Sequence, residues 1–316
     1  MTAGGRTYLV CSLTLLLAGC SPTGGAAPSS ATQAGKAAGT AAPAGSTQVS
    51  DLHKPFGIAV EDGSVWTTEY ERGNLVRIDP GTSRVVARRH IGVHAAHIVA
   101  DGGFIWVSDD LLGSVISVDE KSGTISRDIP LRQNFDLRPS AIAAGGDSVW
   151  VTMAPGFEHP AAPQIPPGQL VRIDMMSKSV VATIPIRGVA TGVAVGGGGV
   201  WVASVLEPAA IYRIDAATNR VVATIATGHS PTGALAFEAL DLWVANQDGY
   251  LTRIDSRTNQ VVGNFEVGSP EWSALVRAGT RPRNSHCLKT TCGSPTTSMG
   301  PPRSCRSISL RAAPSA

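Results

Sequence analysis

Between residues 51 and 269, apolar side chains fall in short runs with β-branched residues at alternate positions, and Gly, Asp, Asn or Ser separates one run from the next. A period of two predicts β-strands, and no helix-period stretch of useful length lies between the runs. The runs recur in sets. Tryptophans at 66, 106, 150, 201 and 243 stand 40, 44, 51 and 42 residues apart. Upstream of each lies a small apolar run such as Gly57-Ile58-Ala59-Val60 or Gly192-Val193-Ala194-Val195. Downstream lies a run closing in Asp, as in Leu75-Val76-Arg77-Ile78-Asp79 and Ile211-Tyr212-Arg213-Ile214-Asp215. A fourth run follows, such as Val221-Val222-Ala223-Thr224-Ile225.

Four antiparallel strands in roughly 42 residues, repeated in tandem, predict an all-β fold built of propeller blades. One blade cannot cover both faces of its own sheet, so neighbours must stack around a shared axis. Five blades are recognisable over 51–269, either a compact five-blade ring or an incomplete ring of six or seven. Three segments carry a family resemblance: Gly57-Ile58-Ala59-Val60, Trp243-Val244-Ala245-Asn246, and Arg253-Ile254-Asp255 continuing through Thr258-Asn259 to Val261-Val262. They resemble the repeats of YVTN/YncE-like propellers and of streptogramin (virginiamycin B) lyase propellers. The resemblance implies six or seven blades. For the lyases it also implies a His and Glu site with a divalent metal on one face. No motif around His94, His97 or His229 matches those lyase residues one by one.

The flanking segments read differently. Arg6 precedes an apolar run from Tyr8 to Ala18 that is too short to span a bilayer and reads as an export signal. It ends in Leu17-Ala18-Gly19-Cys20, which resembles a bacterial lipobox. The resemblance implies a signal peptide over 1–19, acylation of Cys20 and attachment to the lipid bilayer in the extracytoplasmic cell envelope. Residues 20–50 carry one charge, Lys36, among Ala, Gly, Ser, Pro, Thr and Gln, the composition of a flexible tether. Residues 51–269 contain no Cys, which excludes disulfides and a Cys nucleophile there.

After Pro270 the alternation stops. Residues 270–316 hold seven Lys/Arg against the single acid Glu271, and three of the five cysteines. This stretch reads as a disordered basic tail, produced by a frame change that replaced one or two further blades or native to a five-blade ring. Without it, residues 1–269 carry 19 basic and 23 acidic side chains. That balance excludes nucleic acid as a partner, since its phosphates need a concentrated basic face.

If strands A to D run from the inside of a blade outward, its B–C and D–A loops share one face. The A–B and C–D turns on the other face repeat, and their Asp residues are expected to fix turns. The recurring Trp, and the Arg two residues before the Asp, are expected to be structural. The variable loop face holds the candidates, because binding residues concentrate on loops over a rigid scaffold. Candidate binding residues are His53, His94, His97, Asp109, Arg138, His159, His229 and Asn246. Candidates for acid–base work are His94, His97, His229 and Glu69. A long third B–C loop, Met153 to Gln169, is placed to cover this face. Gln48 to Leu52 are expected to supply an outer strand to a final blade lying beyond the five recognisable ones, one that a frame change would have removed. The favoured reading is a binding module for a small molecule or an envelope protein, with no cofactor. The alternative is a lyase or hydrolase of the streptogramin-lyase type, the one case that calls for a divalent metal.

Overall fold

The computed structural model describes residues 46–131, 137–155, 166–205, 209–267 and 308–311. Five four-stranded antiparallel sheets follow one another along the chain, each paired in sequence order. Blade one comprises β2 (Pro55–Glu61), β3 (Ser64–Glu69), β4 (Asn74–Asp79) and β5 (Arg84–His90), and blade two β6 (Ala95–Asp101), β7 (Phe104–Asp109), β8 (Ser114–Asp119) and β9 (Ile125–Pro130). Blade three comprises β10 (Leu137–Gly145), β11 (Ser148–Pro155), β12 (Gly168–Asp174) and β13 (Ser179–Ile186). Blade four comprises β14 (Val189–Gly196), β15 (Gly199–Val205), β16 (Ala210–Asp215) and β17 (Arg220–Ile225). Blade five comprises β18 (Pro231–Glu238), β19 (Asp241–Asn246), β20 (Tyr250–Asp255) and β21 (Gln260–Glu266). These are the blades the repeat predicts.

Each blade bends in the same two places. The A–B ladder slips where strand A enters, as between Pro55 and Ile58 or Ala95 and Ile98. The C–D ladder slips after the recurring Arg, as between Arg77 and Ile78 or Arg213 and Ile214. Such bulges tighten the local twist that lets flat sheets wrap an axis. The C–D turns are fixed as the sequence predicts: Asp79, Asp174, Asp215 and Asp255 accept the backbone N–H of Gly81, Ser177, Ala217 and Arg257 at 2.7–2.9 Å.

Blades meet through their tryptophan faces. Four apolar clusters each join one blade to the next: Trp66 and Leu75 with Ile98 and Ile105, Trp106 with Val149 and Val151, Trp150 with Val200 and Val202, and Trp201 with Leu242 and Val244. Arg77, Arg172, Arg213 and Arg253 stack on Trp66, Trp150, Trp201 and Trp243, with the guanidinium carbon 5.0–5.8 Å from the ring centroid. Two of them also cross the blade boundary. Arg172 donates to Ala216 O and Asn219 Oδ1, and Arg213 to Ser256 O and Asn259 Oδ1, in the following blade's C–D turn. In blades three and four the Arg is thus an inter-blade tie, while Arg77 and Arg253 bond Ser64 and Asp241 of their own blades.

The face of blade one opposite blade two is covered by chain that precedes the repeat. Val49 and Leu52 are buried there against Val65, Val76 and Ile78. Among the described residues this segment lies on blade one, and β21 is the outer edge of blade five. Just before it, β1 (Ser46–Val49) pairs antiparallel with β22 (Ile308–Arg311) in a separate ladder. Most of the basic tail, the tether and the export segment lie outside the described residues.

Trp201 is fully buried, packs between blades four and five, and donates Nε1–H to Gly196 O at 3.0 Å. Trp201→Ala is expected to lower the unfolding free energy by about 3–5 kcal/mol. Val222→Ala, at a 56% exposed position on an outer strand, should stay within about 0.5 kcal/mol. Denaturant unfolding of both variants checks the difference.

Candidate functional site

The loop face is assembled from strand ends held, in four of the five blades, by a polar anchor three residues after the tryptophan. Glu69 is fully buried and accepts from the His53 backbone N–H (2.9 Å), Asn74 Nδ2 (2.8 Å) and Arg88 Nε (3.2 Å). Burial alone would raise its pKa, and these bonds outweigh it, so the carboxyl sits below its ordinary value. Asp109 is fully buried as well and accepts from the backbone N–H of Val93, His94, Leu111 and Leu112 at 2.6–3.1 Å. Asn246 donates to Tyr250 O and Thr252 Oγ1, and Ser204 to Arg187 O. Glu69, Asp109 and Asn246 therefore lie beneath the face and shape its loops. Glu69, an acid–base candidate, is thus placed beneath the face with its carboxylate engaged by three donors.

Above those anchors, blades one and two bring five side chains together. A 3-10 turn, Tyr70–Arg72, ends at Gly73, whose φ is 58°. A Cβ there would stand 1.9 Å from Gly92 O, so only glycine lets the B–C loop of blade one lie on the D–A loop of blade two. This contact sets the Tyr70 ring 4.7 Å from the His94 ring. Tyr70 donates its hydroxyl to Asp110 Oδ2 at 2.7 Å, and His94 Nδ1 lies 3.2 Å from Asp110 Oδ1. Phe56 stacks on Tyr70 at 5.3 Å and meets the edge of His97 at 5.1 Å, while remaining 46% exposed. Burial, the hydrogen bond to Asp110 and the charge of that carboxylate raise the Tyr70 pKa, and Arg138 pulls it the other way. His97 is half-buried, and desolvation pushes its pKa down to about 4, against an upward pull from Asp110.

A second group stands on blade five. His229 Nδ1 pairs with Asp248 Oδ2, and its ring stacks on Tyr250 at 4.5 Å and 19°. His53 occupies the matching place in blade one, two residues before a strand-opening proline, and its Nε2 lies 3.9 Å from Glu71 Oε2. Glu71 also pairs with Lys54. Each of these imidazoles faces a carboxylate of its own blade's B–C loop, an arrangement that orients a ring nitrogen.

Of the sequence candidates, His94, His97 and, through its charge, Arg138 share the first group, and His229 belongs to the second. His53 keeps its own pair on blade one. His159, with most of the long third loop, lies outside the described residues. Phe56, Tyr70 and Tyr250 were not candidates, although Phe56 sits inside the His53-Lys54-Pro55-Phe56-Gly57 motif and Tyr70 directly follows Glu69. Among the described residues no three His, Cys, Asp or Glu side chains converge as a metal-holding group, so the metal implied by the lyase resemblance does not fit them.

No family model matches the chain, and no curated protein does. Solved structures do. Streptogramin B lyase matches with a TM-score of 0.55 at 15% identity, over 71% of this chain and 74% of that one. The computationally designed Ika8 protein matches with a TM-score of 0.51 at 13% identity, over 68% and 62%. BamB from Moraxella catarrhalis matches with a TM-score of 0.48 at 16% identity, over 67% of this chain and 61% of its own length. The chain thus spans less than two thirds of Ika8 and of BamB. At these identities the likeness shows the β-propeller fold.

The two titrations separate by pH. Unfolded His97 takes up a proton near 6.5 and native His97 only near 4, so native stability falls as pH drops through that window. His97→Gln should flatten the melting temperature there, and NMR titration of the ring should give the low midpoint. Glu69, whose native pKa is also depressed, acts in the same direction at lower pH, contributing stability above its ordinary 4.5 that disappears as pH falls through its lower native value. Glu69→Gln should cost about 1–3 kcal/mol at neutral pH and little further in acid.

Proposed function

We propose that this chain is a membrane-anchored, extracytoplasmic β-propeller that acts as a binding module, taking a small molecule or an envelope protein on its loop face. The observation that carries the reading is the group shared by two blades: Phe56, Tyr70, His94, His97 and Asp110. It offers an exposed ring, a second aromatic surface and polar groups oriented by one carboxylate. Aromatic surface with a few fixed polar groups is the general make-up of a recognition patch. With its pKa pushed down to about 4, His97 is neutral near pH 7 and presents a hydrogen-bonding ring without charge. The Leu17-Ala18-Gly19-Cys20 motif and the tether, with Lys36 as its single charge, support the anchor. Among the described residues no helix is long and apolar enough to cross a membrane. On the strength of that motif, attachment is assigned to acylated Cys20, with the tether setting the loop face away from the lipid.

A second reading has its own observation. The pairing of His229 Nδ1 with Asp248 is the geometry in which a carboxylate holds an imidazole for proton transfer through its other nitrogen. This is what a lyase or hydrolase on the same face would use.

Two measurements test these assignments. Cys20→Ser should move the protein from the membrane fraction to the soluble extracytoplasmic fraction, and retention on the membrane would refute the anchor. In a thermal-shift screen of envelope metabolites and peptides, hits on the wild type should vanish in Phe56→Ala/Tyr70→Ala. A streptogramin depsipeptide should not be linearised. Turnover that disappears in His229→Ala would replace binding with the second reading.

A further inference from the structure

At three of the four junctions among the described residues, the residue four places after the C–D turn's Asp reaches back across the boundary. Asn219 Oδ1 and Asn259 Oδ1 accept from Arg172 and Arg213 of the preceding blade. Lys178 sets its ammonium 3.5 Å from the Phe104 ring centroid and bonds Ser126 Oγ. Between blades one and two the same place is held by Gly123. It keeps the left-handed backbone, with φ 64° against 51–58° for the other three, and its N–H closes the turn on Asp119 O at 2.8 Å. A Cβ there would meet nothing within 4 Å. The missing side chain leaves a cleft of about 200 Å³ between the outer strand of blade one and the C–D turn of blade two.

The cleft has an apolar floor and two charged poles. Trp66, Leu75 and Val118 form the floor and are buried. One pole is the Arg77 guanidinium, which stacks on Trp66 and donates through Nε and Nη2 to Ser64 Oγ. Its Nη1, the atom that Arg172 and Arg213 spend on the next turn, makes no such bond among the described residues. Arg89 and Lys121 stand exposed at the rim. The other pole is Glu120, in the place of Ala216 and Ser256 of the later turns. It is 4% exposed, and among the described residues no donor bonds its carboxylate. Burial and the charges of Asp62 and Glu61 raise its pKa, against a downward pull from Arg77 and Lys121. A carboxylate so enclosed calls for a partner.

These groups decide what fits. The volume lies below the roughly 300 Å³ at which drug-sized sites begin, so the ligand is compact. A simple anion would be opposed by Glu120, and a simple cation by Arg77. A molecule carrying both an ammonium and a carboxylate answers both poles, and charge-assisted hydrogen bonds of this kind are the strong ones. The Trp66, Leu75 and Val118 floor favours an aliphatic side chain on the same molecule.

We propose that the cleft between blades one and two binds a free aliphatic α-amino acid, whose ammonium pairs with Glu120 and whose carboxylate accepts from Arg77, with Arg89 and Lys121 closing the rim. The site lies at the C–D turn end of the blades, opposite the loop face, and is independent of what that face binds.

NMR titration of the full mature chain with L-leucine tests it. The Trp66 indole N–H resonance should shift and saturate. Isocaproate lacks the ammonium and isopentylamine lacks the carboxylate, and each should bind about tenfold or more weakly than leucine. Gly123→Asn, which copies the side chain that fills the later junctions, should abolish the leucine shift and leave the melting temperature unchanged or raised. Equal affinity for either analogue overturns the proposal. So does leucine binding that survives in Gly123→Asn, or the absence of a saturable shift at millimolar leucine. The analogue series needs no variant, so a misfolded Gly123→Asn does not obscure the answer.

Discussion

A sheet of four short strands has two apolar faces, and in this protein neither can be hidden without a neighbour. Everything else follows from that constraint. Trp66, Trp106, Trp150 and Trp201 each close the gap to the next blade, and Arg172 and Arg213 cap their tryptophans and tie down the following turn. The inner strands then approach so closely that a Cβ on Gly192 would stand 2.0 Å from Gly233 O. Loops from different blades are thereby fixed over one face, and this is how Tyr70 of blade one comes to share Asp110 of blade two with His94.

The same constraint makes the two ends of the array informative. Blade one hides its free face with Val49 and Leu52, borrowed from the chain ahead of the repeat. Arg88 secures that cover, donating to Asp51 O while it pairs with Glu69. Glu69 thus links the start of the domain, the outer strand and the loop that carries His53. At the other end, Arg253 stacks on Trp243 and bonds Asp241 of its own blade.

The fold was largely legible in the sequence because its driving term is periodic. The tryptophans, the Asp-closed strands and, in four blades, the Arg two residues before the Asp recur at matching places, and the structure packs the tryptophans alike in blade after blade. The site was legible only in part. The loop face and its imidazoles could be placed by counting strands, but their partners depend on inter-loop contacts that have no period. Phe56 and Tyr70 are single aromatics in irregular segments, and nothing local shows that Gly73 presses against Gly92 to bring Tyr70 over His94. The depth of Glu69, Asp109 and Asn246 was illegible for a different reason. They end strands whose buried length the sequence marks only to within a residue or so, and one residue decides between a side chain on the face and one beneath it.

The claim that adjacent blades stabilise each other through these faces is open to one direct measurement. Ile211 and Leu242 lie on opposite sides of the junction between blades four and five, both fully buried in one cluster. A double-mutant cycle of Ile211→Ala and Leu242→Ala, read by denaturant unfolding, should give a coupling energy of about 0.5–3 kcal/mol. Strict additivity of the two substitutions would mean that the blades are not packed on one another, and the account built on that packing would fall.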